Sequence, residues 1–235
     1  MARTGYASGV EADRVKGAKA AMSKALGNSQ EPVYIMRHGR TALDALKRSD
    51  GWLDFPLTDE GRMGIIAAQQ YLKDLPKPLA CIYAPSLKRT METAEIIQSG
   101  DAEPVDIEVT DEARTWNLGK KMLGSKKYPN KPIVKYYMEH PNEIPDEGES
   151  LNQFCKRFMG WFKALLDEKR PGPVLLVTSG SNIREISQWL TDDRVALDLD
   201  EGGLLCLKPL GKTWHGTVVL GDKHDVETEP SAYSS

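Results

Sequence analysis

No apolar stretch in this 235-residue chain approaches the roughly 20 residues that span a bilayer, so nothing in it reads as a transmembrane helix. Residues 1–30 are polar and Ala-rich and lack the apolar centre of a secretory leader. Cysteine is scarce: Cys81, Cys155 and Cys206 are odd in number, far apart and set among apolar neighbours. That spacing excludes a disulfide framework and a zinc-ligand pattern, and it reads as buried reduced thiols in a cytoplasmic protein. An excess of charge is also missing. The 31 Lys and Arg against 34 Asp and Glu leave a net charge of −3, which gives no global drive toward nucleic acid or an anionic membrane. No internal repeat is present. With 40% hydrophobic and 28% charged residues, the remaining class is an ordinary globular protein.

From Pro32 onward the pattern alternates strand and helix. Val33–Met36 is an apolar run of strand length. Thr58 is placed to cap a helix through Ile65, Ile66, Tyr71 and Leu72. Residues 79–83 read as a strand, 87–98 as a helix and 105–109 as a short strand. Residues 113–148 show no period and form a long excursion, of the kind that usually carries function. Ser150 and Gln153 make a capping box that opens a helix with Phe154, Phe158, Trp161, Phe162, Leu165 and Leu166 on its apolar side. Residues 174–178 are a further strand, 181–190 a helix, and 204–207 with 213–220 a closing, antiparallel pair. Alternating β and α segments imply a three-layer α/β/α sandwich around a mostly parallel sheet. Outside residues 31–221, two appendages are expected. Val15, Ala18, Met22, Ala25 and Leu26 repeat at helical spacing, so residues 1–30 read as a helical arm or flexible extension. The arm could serve a homo-oligomer or a protein partner. Residues 222–235 read as a disordered polar tail.

The chemistry concentrates at the ends of strands. Arg37-His38-Gly39-Arg40-Thr41 follows the first strand directly. An imidazole there can attack phosphorus, a guanidinium can hold two phosphate oxygens, and glycine lets backbone approach an anion closely. In parallel sheets ligands bind beyond the carboxyl ends of the strands. Two more segments fall at that level. One is the turn at 83–86, leading into a helix whose first turn carries Lys88 and Arg89. The other is Thr178-Ser179-Gly180-Ser181, leading into a helix whose first turn holds Asn182 and Arg184. Both are helix N-termini, which favour an anion. Arg89 is expected to face the pocket, so that its removal weakens phosphate binding with little loss of stability.

These motifs together resemble the histidine phosphatase superfamily, also called phosphoglycerate mutase-like. The resemblance covers about residues 32–220. It rests on Val-Tyr-Ile-Met-Arg-His-Gly at 33–39, on Trp-Leu-Asp-Phe-Pro-Leu-Thr-Asp-Glu-Gly-Arg at 52–62 and on Ser-Leu-Lys-Arg-Thr-Met-Glu-Thr-Ala-Glu at 86–95, with Gly-Glu-Ser at 148–150 and, in outline, 174–184. It implies a phosphohistidine at His38, with Arg37 and Arg89 clamping the transferred phosphoryl group. It implies phosphohydrolase activity on a small phosphomonoester, with a mutase less favoured. It implies no metal and no organic cofactor, and a partner that is a small phosphorylated substrate or inorganic phosphate.

Three positions depart from the family pattern. Ser179 stands where the second catalytic His is usual, Thr115 where a proton-donating Glu is usual, and Asp44 where an Asn often follows the first motif. Glu112 is the first candidate for the missing acid, with Asp111, His140 and Glu149 behind it. The phosphate-binding set is then Gly39, Arg40, Thr41, Gly180 and Ser181, beside the catalytic set His38, Arg37, Arg89, Glu112 and Ser179. The alternative is a catalytically degenerate member with a structural or partner-binding role. The basic excursion, with Lys120, Lys121, Lys126, Lys127, Lys131 and Lys135 among tyrosines, reads first as a solvated face. Its second reading is a lid that selects a substrate with another anionic group.

Overall fold

The computed structural model describes residues 31–100, 103–120, 132–211 and 213–222, together with the backbone of Met22–Ala25. The strands in chain order are β1 (Met22–Ala25), β2 (Val33–Arg37), β3 (Cys81–Ala84), β4 (Ile107–Val109), β5 (Val174–Thr178), β6 (Leu199–Leu210) and β7 (Thr213–Asp222). The helices are α1 (Ala42–Ala45), α2 (Asp59–Met63), α3 (Ile66–Lys73), α4 (Lys88–Gln98), α5 (Pro132–Glu139), α6 (Leu151–Asp167) and α7 (Gly180–Thr191). The seven strands form one sheet in the order β1-β7-β6-β2-β5-β3-β4. The β2, β5, β3 and β4 strands run parallel, whereas β6, β7 and β1 are added antiparallel.

The central strands are buried on both faces, which is why their sequences are unbroken apolar runs rather than alternating ones. Side-chain alternation divides them between two cores. Val33, Ile35, Val174, Leu176, Leu205 and Leu207 pack with α6 and α7. Tyr34, Met36, Leu175, Val177, Leu204 and Cys206 pack with α3 and α4 on the opposite face. In α6 the i, i+4 spacing stacks Phe154 on Phe158 and Phe158 on Phe162, with ring centroids 6.1 and 5.6 Å apart. Each such buried ring contributes about 1.5–3 kcal/mol. Both Ser150 and Gln153 make the expected capping-box bonds at the start of this helix.

Several segments differ from the sequence reading. Met22–Ala25 is a strand paired antiparallel with Thr213–Gly216, so the helical spacing of Met22 and Ala25 does not form a helix there. Pairing to the edge of β7 satisfies backbone groups that a marginal isolated helix would leave to solvent. Val15, Ala18 and Leu26 lie outside the described residues, as does the tail beyond 222. The helix capped by Thr58 breaks at Gly64 and resumes as α3. Within the excursion Pro132–Glu139 is helical. The closing pair is longer than expected, and β6 reaches back to Leu199 at the level of the site.

Candidate active site

The parallel strands end at one edge of the sheet, and β6 begins there. Beyond that edge lies a cavity of about 810 Å³. Arg37, His38, Arg40, Arg89, Ser179, Gly180 and Ser181 all line it, so most of the sequence candidates converge.

Pairing between β2 and β5 continues one residue past Arg37, as the His38 amide donates to the Thr178 carbonyl at 2.9 Å. This fixes His38 directly beside the Ser179 turn. The His38 ring is buried, and its Nδ1 lies 2.8 Å from the Gly39 carbonyl. In the tautomer that donates from Nδ1, Nε2 keeps its lone pair. Burial, reinforced by the Arg89 charge, pushes the His38 pKa down to about 3 against the pull of Asp44, so the imidazole is neutral at ordinary pH. A neutral imidazole is the nucleophilic form.

Gly39 is needed for packing. A Cβ there would stand 2.7 Å from the Gly61 carbonyl oxygen and 2.8 Å from Ile65 Cδ1. Its amide donates to Thr93 Oγ1 rather than to the cavity.

Arg37 donates to the Leu199 carbonyl at 2.7 Å and to the Glu201 carboxylate, and it lies 3.6 Å from Asp44. Its guanidinium carbon would be 3.8 Å from a Cβ on Gly180, so the β6 entry and the α7 N-terminus grip it from two sides. Arg40 is half exposed at the rim, 3.6 Å from Glu201.

Arg89 does more than face the pocket. It is 1% exposed and donates to the carbonyls of Leu53 at 2.8 Å and Gly51 at 2.7 Å. It therefore pins the 50–54 loop across the site. Burial lowers its pKa, and Asp50, Asp44 and Asp54 counter that effect. The start of α4 already holds an anion, because Asp54 accepts from the Lys88 amide at 2.6 Å. Nε of both Arg37 and Arg89 is buried without a hydrogen bond. Two buried guanidiniums with spare donor atoms beside a neutral imidazole favour an anionic ligand.

Ser179 occupies the N-cap position of α7, yet its side chain makes no capping hydrogen bond. The first N–H groups of α7, which lack intrahelical acceptors, border the cavity at Gly180 and Ser181. Thr115 also lines the cavity, and its hydroxyl donates to Ser181 Oγ at 3.0 Å.

Glu112 is not at the site. Its side chain is exposed and accepts from Thr110 Oγ1 at 3.2 Å. The reason is the anchoring of residues 111–115 through their carbonyls. Arg157 on α6 donates to the Glu112 and Arg114 carbonyls, while Thr178 and Asn182 donate to the Ala113 carbonyl. That arrangement leaves Thr115 toward the cavity and Glu112 away from it. The other candidate acids are also engaged elsewhere: Asp111 with Ser86 and Arg114, Glu149 with Arg157 and the Asn117 amide, and His140 stacked on Tyr136. Thr41 sits behind the pocket surface, its hydroxyl between Asp44 and Asp50.

Sequence reasoning missed Asp50, Glu201, Arg194 and the apolar wall of Trp116, Leu118 and Met138, all of which line the cavity. A weak local signal for Asp50 existed, since an acid before Gly51 reads as a turn. Among the described residues His38, Asp44 and Asp50 each offer a potential ligand atom within 4.8 Å of the others. The adjacent Arg37 and Arg89 guanidiniums make that spot more suited to an anion than to a metal ion.

A sheet-edge histidine between two buried arginines, at a helix N-terminus, defines a phosphate-handling protein of the α/β class. A family model of the histidine phosphatase superfamily (branch 1) matches residues 33–209, and the chain belongs to that family. It is 28% identical over 164 residues to a metal-independent phosphoserine phosphatase of Arabidopsis thaliana, covering 68% of each chain. It is 38% identical over 220 residues to a 2,3-bisphosphoglycerate-dependent phosphoglycerate mutase of Chlamydia caviae, covering 78% of this chain and 94% of that one. Among solved structures, Bacillus stearothermophilus YhfR superposes with a TM-score of 0.65 at 23% identity, covering 84% of this chain and 98% of the other. Such likeness bears on the fold. No helix among the described residues is long and apolar enough to cross a membrane.

Proposed function

We propose that this chain hydrolyses a phosphomonoester through a phosphohistidine at His38. The observation that carries the reading is the state of His38: buried, neutral, tethered through Nδ1, and facing a cavity that also holds Arg37 and Arg89. In this mechanism Nε2 attacks phosphorus in line while Arg37, Arg89 and the α7 N–H groups at Gly180 and Ser181 hold the equatorial oxygens. Water then cleaves the N–P bond. The Arabidopsis relative is named for phosphoserine, so a small alkyl phosphomonoester of that kind is the substrate class to try first.

His38→Ala is expected to abolish hydrolysis of an aryl phosphate while leaving the circular dichroism spectrum unchanged. Equal rates in variant and parent would remove His38 from the mechanism. A second reading is favoured by Ser179 and Thr115, which replace the family's second histidine and its carboxylic acid. On that reading the pocket retains an anion without turnover and the protein serves a binding role. Detection of phosphohistidine after an alkaline quench, which preserves the acid-labile N–P bond, separates the two, because only the enzyme forms it.

A further inference from the structure

The cavity is far larger than the anion site it contains. Its volume of about 810 Å³ falls in the range that encloses a drug-sized ligand. A phosphoryl group occupies only the part lined by Arg37, His38, Arg89 and the start of α7. The rest of the lining meets the body of the ester.

Much of that remainder is an apolar wall built from three segments. Trp116 and Leu118 follow Thr115, whose hydroxyl bonds Ser181 at the start of α7, so the wall begins one residue from the anion site. Val134 and Met138 are four residues apart on α5 and share one face of it. Leu151 opens α6. Trp116, Val134 and Leu151 belong to the core, and the half-buried Leu118 and Met138 pack against it. Polar groups of the 116–119 segment are occupied by one another and by Glu149. Trp116 Nε1 donates to the Glu149 carbonyl at 2.9 Å, and the Asn117 amide donates to the Glu149 carboxylate at 3.0 Å. The Glu149 amide returns a bond to the Asn117 carbonyl at 2.9 Å. An ammonium or carboxylate set against this wall would lose water without gaining a partner there.

The charges of the cavity point the same way. Three further cations each hold an acid that also lines it: Arg40 with Glu201, Arg184 with Asp198, and Arg194 with Glu185. Among the described residues six cationic side chains and five carboxylates line the cavity, an excess that a single phosphate dianion already outweighs. A second anionic group on the substrate would compete with carboxylates already in place.

We propose that the substrate is the phosphomonoester of an apolar alcohol, whose alkyl or aryl body lies along Trp116, Val134 and Leu151, with Leu118 and Met138 setting the selectivity. This rests on the phosphomonoester reading given above and narrows it. Phosphoserine, with its charged amino and carboxylate groups, would leave the wall uncovered.

Two measurements on the full chain test this. Primary alkyl phosphates from ethyl to hexyl share one leaving-group chemistry, so their kcat/KM values compare the body alone. The value is expected to rise about fourfold per methylene, or about 10²-fold from ethyl to hexyl, and to pass those of phosphoserine and phosphoglycerate. Leu118→Gln and Met138→Gln should each lower the hexyl-to-ethyl ratio by about tenfold, a readout that a general loss of folded enzyme does not move. A flat series, or a preference for phosphoserine or phosphoglycerate, overturns the proposal. An unchanged ratio in both variants overturns the assignment to this wall. Calorimetric binding of ethylphosphonate and hexylphosphonate, which cannot be hydrolysed, separates the proposal from the reading beneath it. Tighter binding of hexylphosphonate by a protein that hydrolyses none of the esters would leave the wall standing and remove the phosphohydrolase. Equal binding of the two phosphonates overturns the wall, whatever the rates.

Discussion

Replacing Arg89 by alanine should destabilise the protein as well as weaken phosphate binding. The guanidinium is 1% exposed and donates to the Gly51 and Leu53 carbonyls at 2.7 and 2.8 Å. Hydrogen bonds from a charged group are worth about 1.5–3 kcal/mol each, so the pair alone gives about 3 kcal/mol at the lower end. Asp50 and Asp44 would also lose a buried cation, and removing one partner of a buried ion pair costs about 3–5 kcal/mol. The two estimates overlap and do not add, which leaves a loss of about 3–5 kcal/mol. For a chain of this size that corresponds to a fall in melting temperature of about 6–20 °C. Scanning calorimetry with and without phosphate provides the assay. Hydrogen exchange at residues 50–54 should rise in the same variant, since the loop loses its tether. Arg89→Lys, which keeps the charge but reaches fewer acceptors, should fall between the two. A midpoint shift under about 2 °C, typical of a surface substitution, would show that the loop does not depend on Arg89.

Three other outcomes are expected. Ser179→His should place a donor beside the transferred phosphoryl group and raise turnover by up to about 10²–10³; steady-state rates would show it, and no gain with the imidazole seen crystallographically far from His38 would refute the placement of that motif. The His38 pKa lies at about 3, below its ordinary 6.5, so the unfolded chain binds a proton between those values that the folded protein does not. Stability should therefore decline as pH falls from 6.5 toward 3. Urea unfolding of His38→Gln should show a shallower decline over that window, and superimposable profiles would contradict the buried neutral ring. Deleting residues 1–30 should leave the aryl phosphatase rate intact and increase self-association by baring the β7 edge that Met22–Ala25 covers; light scattering with a rate measurement decides, and lost activity at unchanged mass would tie the segment to the site.

What the sequence determined by itself was local. The apolar run at 33–36, the capping box at Ser150 and the strand-turn-helix at 174–184 are each written within a few residues, because periodicity and capping act over one or two turns. The ordered motifs carried the family and, with it, His38, Arg37 and Ser179 at one sheet edge. The tertiary structure alone decided which carboxylate lies near the nucleophile. Glu112 is close in sequence to the expected acid position, but Arg157, 45 residues away, and the β5 and α7 donors fix its segment with the side chain outward. Asp50 lies near His38 because Arg89 draws in the loop that carries it, through a bond spanning 38 residues to Gly51. Likewise Met22–Ala25 has helical spacing yet pairs as a strand, since its partner β7 is almost 200 residues further along the chain. Contacts of such separation depend on how whole elements pack, and no short window of sequence contains that information.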